Sequence, residues 1–282
     1  MGKNTAISWC DHTFNCWWGC AKVSEGCKNC YAETFAGRFG VRWGATSTRR
    51  FFGEKHWSEP RKWNSAAQKA GVRARVFCAS MADVFEDGRR RELEPQRRRL
   101  FDTIEITEHL DWLLLTKRPE NLSDMLPKHW LRSPRSNVWL GTTIENSEVQ
   151  RDRASALAEV PAALHFWSCE PLLESLDILC PRCSGTSNDH RAGDGGGCSG
   201  AFPDWVIVGG ESGSHARPFH VEWARSIVKQ CRDAGVACFM KQMGANFVDS
   251  NGMLIPIRDR AGSDPSEWPN DLRVQEMPKV ST

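Results

Sequence analysis

The chain has 282 residues and a mass of 31.8 kDa, with 40% hydrophobic and 26% charged residues, which describes a folded protein and excludes a disordered one. Lys and Arg number 37 against 35 Asp and Glu, so a formal net charge of +2 singles out no nucleic-acid or membrane partner. No apolar run approaches the roughly 18 residues of a membrane span, and the opening MGKNTAISWCDHTFNC lacks a basic stretch followed by an apolar core, so a cytoplasmic protein is expected. Twelve cysteines in such a chain point to metal or catalysis ahead of disulfides, because the cytosol keeps thiols reduced. Thirteen Trp and thirteen Phe accompany the single Tyr31; most are expected in the core and a few around a pocket.

Short β-rich runs alternate with amphipathic stretches. The predicted strands are Ala6–Trp9, Ala74–Ala79, Trp112–Thr116, Val138–Gly141, Leu164–Ser168, Trp205–Val208 and Val236–Met240. A first helical stripe, Ala32, Phe35, Ala36 and Phe39, stops at Gly40. Leu93, Leu100, Phe101 and Ile104 mark another, with Pro95 placed in its first turn. Val149, Arg153, Ala156, Leu157 and Val160 form a third stripe before Pro161, and Trp223, Ile227, Cys231 and Ala234 a fourth, closed by Gly235.

Strand–helix alternation with continuous apolar strands predicts an α/β protein with a parallel sheet: a TIM-like (β/α) barrel, complete or partial, over residues 1–245. Residues 246–282, rich in Pro, Gly and Asp, are expected to be an irregular extension packed on the barrel. Barrels place their chemistry on the loops after the strands. Those loops hold Ser80 and Asp83; Thr116, Lys117 and Arg118; Thr142, Thr143, Glu145 and Asn146; Cys169 and Glu170; Gly209 to Gly213 with Glu211; and Lys241 with Gln242. Any one of these polar residues could be solvated, but together they converge on one mouth.

After the first strand, Cys20, Cys27 and Cys30 have the spacing C-x6-C-x2-C, with Gly19 and Gly26 letting the loop fold on itself. Three readings stand: a three-cysteine iron–sulfur cluster with one open iron, a structural zinc completed by Cys16 or Cys10, or unligated core thiols. The loop's position at the mouth favours the first. Farther on, Cys180, Cys183, His190 and Cys198 form C-x2-C-x6-H-x7-C inside a Gly-, Ser- and Asp-rich stretch, and a structural zinc is expected for the insertion 180–200. Cys78, Cys169, Cys231 and Cys238 fall on strand or helix faces and are read as buried small residues.

The run from Cys16-Trp-Trp-Gly-Cys20 to Cys27-x2-Cys30-Tyr31-Ala-Glu resembles the opening signature of the phage Gp37/Gp68 family, a domain of unknown function (DUF5131). The resemblance continues through Ser80-Met-Ala-Asp83, Leu115-Thr-Lys-Arg-Pro119, Trp139 to Asn146, Ser168-Cys-Glu-Pro-Leu-Leu173, Val208 to Gly213, Ala216-Arg-Pro218 and Phe239-Met-Lys-Gln242. That family is in turn similar to radical S-adenosylmethionine proteins. The similarity implies a [4Fe–4S] cluster on Cys20, Cys27 and Cys30, S-adenosylmethionine as cofactor, and radical chemistry on an unassigned substrate. The superfamily's C-x3-C-x2-C spacing is matched in its second half by Cys27 and Cys30, while Cys16-x3-Cys20 carries the other half. On this resemblance Ser80 and Asp83 meet the methionine end, Lys117 its carboxylate, and Thr142 and Glu145 the ribose or sulfonium region. Glu170, Glu211 and Lys241 are left for substrate or proton transfer. A three-Cys-motif partner protein is implied as well.

Residues 89–99 hold six Arg against two Glu, and Arg49, Arg50, Lys55, Arg61 and Lys62 form a second basic region with Trp57 and Trp63 nearby. A solvated helix face explains such clusters; a nucleic-acid substrate tracked by arginine and stacked on tryptophan is the sharper expectation. The rivals to a radical enzyme are a zinc-containing nucleic-acid-binding protein without redox chemistry and a barrel hydrolase using Glu170 or Glu211.

Overall fold

The computed structural model describes residue 5 and residues 7–178 and 203–279. Cys180, Cys183, His190 and Cys198, with the zinc expected for them, lie outside the described residues. Seven parallel strands form one sheet in sequential order: β1 (His12–Thr13), β2 (Ala74–Cys78), β3 (Leu110–Thr116), β4 (Val138–Thr143), β5 (Leu164–Cys169), β6 (Trp205–Gly209) and β7 (Ala237–Gln242). Each is hydrogen-bonded to its neighbour in sequence, and β1 and β7 do not meet. The sheet is therefore an open, curled half barrel, the partial form of the expected architecture and not the closed one.

Period-two alternation gives the strands two apolar faces. Val76, Trp112, Leu140, Trp167, Val208 and Met240 face the helices, whereas Phe77, Leu113, Trp139, Phe166, Ile207 and Phe239 belong to a separate cluster on the other face. Sequential order with crossovers of one hand puts the helices on a single side, which leaves this second face concave. It is filled at its lower end by Trp9 and Trp205, whose rings meet edge to face at 6.0 Å.

The connecting helices are α1 (Tyr31–Gly37), α2 (Glu59–Ala70), α3 (Arg90–Glu105), α4 (Ser147–Ala158) and α5 (Val221–Ala234). Asn146 caps α4 by accepting the Val149 amide. Gly235 ends α5 in the left-handed region at φ 69°, a conformation that favours glycine. Pro95 lies inside α3, beyond its first turn, because the helix starts at Arg90. It removes one backbone donor there and the helix continues through it.

The first strand departs from the sequence reading. Ile7–Cys10 turn back on themselves, with the Cys10 amide donating to the Ile7 carbonyl, and pairing begins only at Asp11, whose amide donates to Arg75. The apolar run around Trp9 is apolar because it fills the concave face, not because it pairs. The expected β7 edge is covered in turn: the Met240 amide donates to Val274 and the Glu276 amide to Cys238, while Trp205 Nε1 donates to the Glu276 carbonyl at 2.9 Å. Trp268 and Leu272 are buried beneath this strap. Among the described residues no helix is long and apolar enough to cross a membrane.

Trp205 is fully buried and touches Trp9, Trp139, Phe166 and Phe239. Trp205→Ala is expected to cost about 3–5 kcal/mol in urea unfolding. Burial lowers the pKa of His56 and His165 below the ordinary imidazole value. The unfolded chain therefore binds more protons than the native one once pH drops through about 6.5, and stability falls with it. A urea midpoint that holds from mildly alkaline to neutral pH and declines below is the expected profile, and His56→Gln with His165→Gln should flatten it.

Candidate active site at the mouth of the half barrel

The strand ends and the cysteine loop enclose an open cleft of about 170 Å³. Trp9, Phe77 and Leu115 line it from the concave face, and Ser80, Asp83, Lys117 and Arg118 come from the loops after β2 and β3. Thr143, Ser168, Glu170 and Lys241 complete the wall from β4, β5 and β7, while Cys20, Cys27 and Cys30 face the same cleft from the loop before α1. The mouth named by the sequence is thus one cavity.

Two buried carboxylates fasten the cysteine loop. Gly26 lies against Glu145 so closely that a Cβ there would stand 2.9 Å from its carboxylate carbon. Glu145 also accepts from Ser24 Oγ and pairs with Arg153 at 2.6 Å. Burial works against its charge, but Lys117 and Arg153 with the Ser24 hydroxyl hold its carboxyl below the usual range. Glu211, at the end of β6, accepts from the Arg217 amide and guanidinium and from Asn29 Nδ2 at 2.9 Å. Burial again opposes the charge, and the Arg217 and Asn29 hydrogen bonds keep the carboxyl low. Arg217 in turn donates to the Glu25 carbonyl at 3.0 Å, and Asn29 to the His215 carbonyl at 2.8 Å.

These contacts show where three of the sequence's candidate residues stand. Glu145 and Glu211 do not line the cleft; each is consumed by a cation and the loop it anchors. Thr142 is buried and donates from Oγ1 to the Thr116 carbonyl at 2.9 Å, whereas its neighbour Thr143 lines the cleft. A strand's period of two decides which of adjacent residues faces inward, and the loop count alone missed that parity.

Asp83 is in the cleft wall but its carboxylate is fully engaged: Thr116 Oγ1 donates at 2.7 Å, the Lys117 amide at 3.1 Å and Arg118 Nη1 at 2.9 Å. It orders the turn after β3 more than it offers a free acceptor. Ser80 accepts from Asn15 Nδ2 at 3.0 Å, and its carbonyl accepts the Tyr31 hydroxyl at 2.6 Å. Lys241 Nζ donates to Glu170 Oε2 at 2.5 Å across the far wall. Lys117 Nζ lies 3.8 Å from Glu145 and reaches the cleft. Sequence reasoning counted Thr143 among the rim residues without giving it a role and gave none to Asn15, Asn29, Ser168 and Arg217; of these, all but Asn15 stand inside the family motifs.

The cysteines differ in surroundings. Cys27 and Cys30 are within electrostatic reach of each other, and burial pushes the Cys30 thiol up against the pull of the Glu33 and Ala32 amides. Cys20 Sγ is turned toward Arg118 Nη1 at 3.8 Å, and burial with the Asp83 carboxylate pushes its thiol up to about 12. Among the described residues no three Cys, His, Asp or Glu side chains stand together as a finished metal site. Cys16 is fully buried in the helix-side core beside Cys78, away from the cleft, so the alternative ligand set containing it is not assembled. Cys10 is buried in the concave cluster. Cys78, Cys169, Cys231 and Cys238 are buried as expected.

The basic run 89–99 is largely neutralised, and in the second region Arg49 and Lys62 are paired. Arg97 is buried and donates to the Val84 and Glu86 carbonyls, Arg89 pairs with Glu92, Arg98 with Glu94, and Arg99 with Glu54. Arg49 is buried against Glu86. Trp57 and Trp63 are buried in the core, so neither can stack on a base as expected.

Removing the Glu211 anchor is expected to loosen the loop without unfolding the sheet. Glu211→Ala should raise amide exchange across residues 20–30 while the β3 to β5 amides stay protected, and Glu211→Gln, which still accepts a hydrogen bond, should lie between. Unchanged exchange over 20–30 in Glu211→Ala would show that the clamp is not what holds the loop.

Three solved structures of spore photoproduct lyase were matched. A double mutant with bound AdoMet and a dinucleoside spore photoproduct is 14% identical, with a TM-score of 0.43, covering 59% of this chain and 47% of that one. A cysteine-to-serine mutant is 12% identical with a TM-score of 0.42, covering 82% and 64% of the two chains. A tyrosine-to-phenylalanine mutant is 14% identical with a TM-score of 0.40, covering 68% and 54%. The chain thus spans about half to two thirds of their length. No curated protein matches the sequence. A family model described as a protein of unknown function, DUF5131, matches residues 4–274, and this chain belongs to that family.

Proposed function

We propose that the protein is an enzyme of the radical S-adenosylmethionine type, with a [4Fe–4S] cluster on Cys20, Cys27 and Cys30 and S-adenosylmethionine in the cleft. The observation that carries this reading is the convergence of those three thiols, from one loop after β1, on a single cavity at the C-terminal edge of a parallel sheet. The donor set fits in kind: three soft sulfur ligands and no carboxylate among them. Holding all three on one centre draws the Cys20 sulfur away from Arg118.

When bound, such a cluster supplies the electron that cleaves a sulfonium carbon–sulfur bond. The chain's own residues bind and orient. Lys117 Nζ offers a cation to a carboxylate. Ser80 Oγ, already accepting from Asn15, has its proton free to donate. Thr143 and Ser168 add hydroxyls on the opposite wall, and Trp9, Phe77 and Leu115 exclude water from the inner end. Glu170 and Lys241 face the cleft as an ion pair, with Nζ donating to Oε2, and are the groups this reading leaves for substrate. A barrel hydrolase using Glu170 or Glu211 is less favoured, because Glu211 is committed to Arg217 and Glu170 is paired with Lys241.

Protein purified without oxygen is expected to be brown and to carry iron and acid-labile sulfide, both lost in Cys27→Ala and kept in Cys16→Ala. Under reductant it should convert S-adenosylmethionine to methionine and 5′-deoxyadenosine. A lone zinc ion at this site, or a reducible cluster that never cleaves the cofactor, overturns the reading.

A further inference from the structure

The helix that follows the cysteines is inside out. α1 buries only Ala32 and Ala36, while Tyr31, Phe35 and Phe39 are 50%, 39% and 58% exposed. Tyr31 and Phe35 are one helical turn apart, and Phe39, just past the helix end, packs on Phe35. Phe35 and Phe39 lie 5.1 Å apart and rest on Trp18, a buried ring that stands 5.9 Å from Phe35, 5.8 Å from Phe39 and 5.9 Å from Phe52. The Arg50 guanidinium covers the Trp18 ring at 4.9 Å and the Phe52 ring at 5.7 Å. Exposed aromatic area of this kind marks an interaction site.

The charge around the platform has one sign. Lys28, Arg38, Arg42 and Arg50 are exposed, and among the described residues no carboxylate pairs with them. The acidic residues of the same stretch are already engaged: Glu33 with Lys22 at 2.6 Å, Glu25 with Arg217 at 3.5 Å, and Glu54 with Arg99. In a protein of near-zero net charge this leaves a local cationic rim around stackable rings. Tyr31 belongs both to this face and to the lining of the cleft, so the two surfaces are continuous.

We propose that the face formed by Phe35, Phe39 and Arg50, seated on the buried ring of Trp18, binds single-stranded nucleic acid beside the cleft. Unpaired bases have two apolar faces and a polyanionic backbone, which answers both features at once; a duplex hides those faces, and a carboxylate-poor apolar protein surface answers only one. The site lies apart from Trp57 and Trp63, which are buried. That the bound strand is the substrate rests on the reading of the cleft given above; the binding itself does not.

The full chain is titrated at low salt with fluorescent oligo-dT and oligo-rU of about 12 nucleotides, with the matching duplex and with anionic lipid vesicles. Single strands should bind in preference to both. Phe35→Ala with Phe39→Ala should weaken binding about tenfold or more. Arg38→Glu with Arg42→Glu should weaken it too and should flatten the salt slope by about 0.7 for each phosphate no longer neutralised. These four positions are exposed, so the folds should survive, and Arg61→Glu with Lys62→Glu on α2 serves as a control expected to bind normally. Absent binding at low salt, equal binding of the duplex, preference for vesicles, or indifference to both double variants overturns the proposal. Binding that persists in Cys27→Ala separates this surface from the cofactor reading, and cofactor cleavage without strand binding sinks this inference alone.

Discussion

The loop bearing Cys20, Cys27 and Cys30 has few apolar residues of its own, and everything at the mouth depends on how it is tied down. Glu145 from β4 and Glu211 from β6 reach it from two sides, each buried and each compensated by an arginine. A buried carboxylate without its cation would cost several kcal/mol, roughly as any uncompensated ion does. The loop, the two acids and the two arginines therefore form a unit in which no member is dispensable. Ser24 meets Glu145 across 121 positions of sequence and Asn29 meets Glu211 across 182, which makes the loop part of the sheet's C-terminal edge.

The same economy governs the rest of the cleft. Asp83 is spent on Arg118 and on the backbone of the turn after β3, and Glu170 on Lys241. The cleft accordingly presents hydroxyls, one reachable lysine and an ion pair over an apolar floor, not an array of free carboxylates. Such a lining favours a ligand with an apolar or aromatic body and a charged end.

The open form of the sheet has its own cost, since one flank of a half barrel exposes an unpaired strand edge. Residues 274–276 cover that edge at β7 through Val274, Gln275 and Glu276, and Met277 reaches Arg75 on the far side at 3.0 Å. Tryptophans at 9, 139 and 205 fill the concave end, so the cavity is confined to the mouth. The polar chemistry and the solid core thus occupy opposite ends of one curved surface.

The features legible before folding were local or periodic. Six of the seven sheet strands, the apolar stripe of α4 and the Gly235 stop after α5 follow from apolar period and capping chemistry, which act over a few residues. So does the collection of polar residues at one rim, because a parallel sheet points all its strand ends the same way. The remainder was settled by contacts distant in sequence. Which of Thr142 and Thr143 faces the cleft depends on pairing parity; whether Glu145 and Glu211 serve chemistry or architecture depends on Arg153 and Arg217 arriving from elsewhere; and Trp57, Trp63 and the arginines of α3 lose their nucleic-acid character only when burial and ion pairing are known. Cys16 and Cys20 read alike in a spacing count, yet one enters the core and the other the cleft, since side-chain direction is set by the strand and turn that carry it.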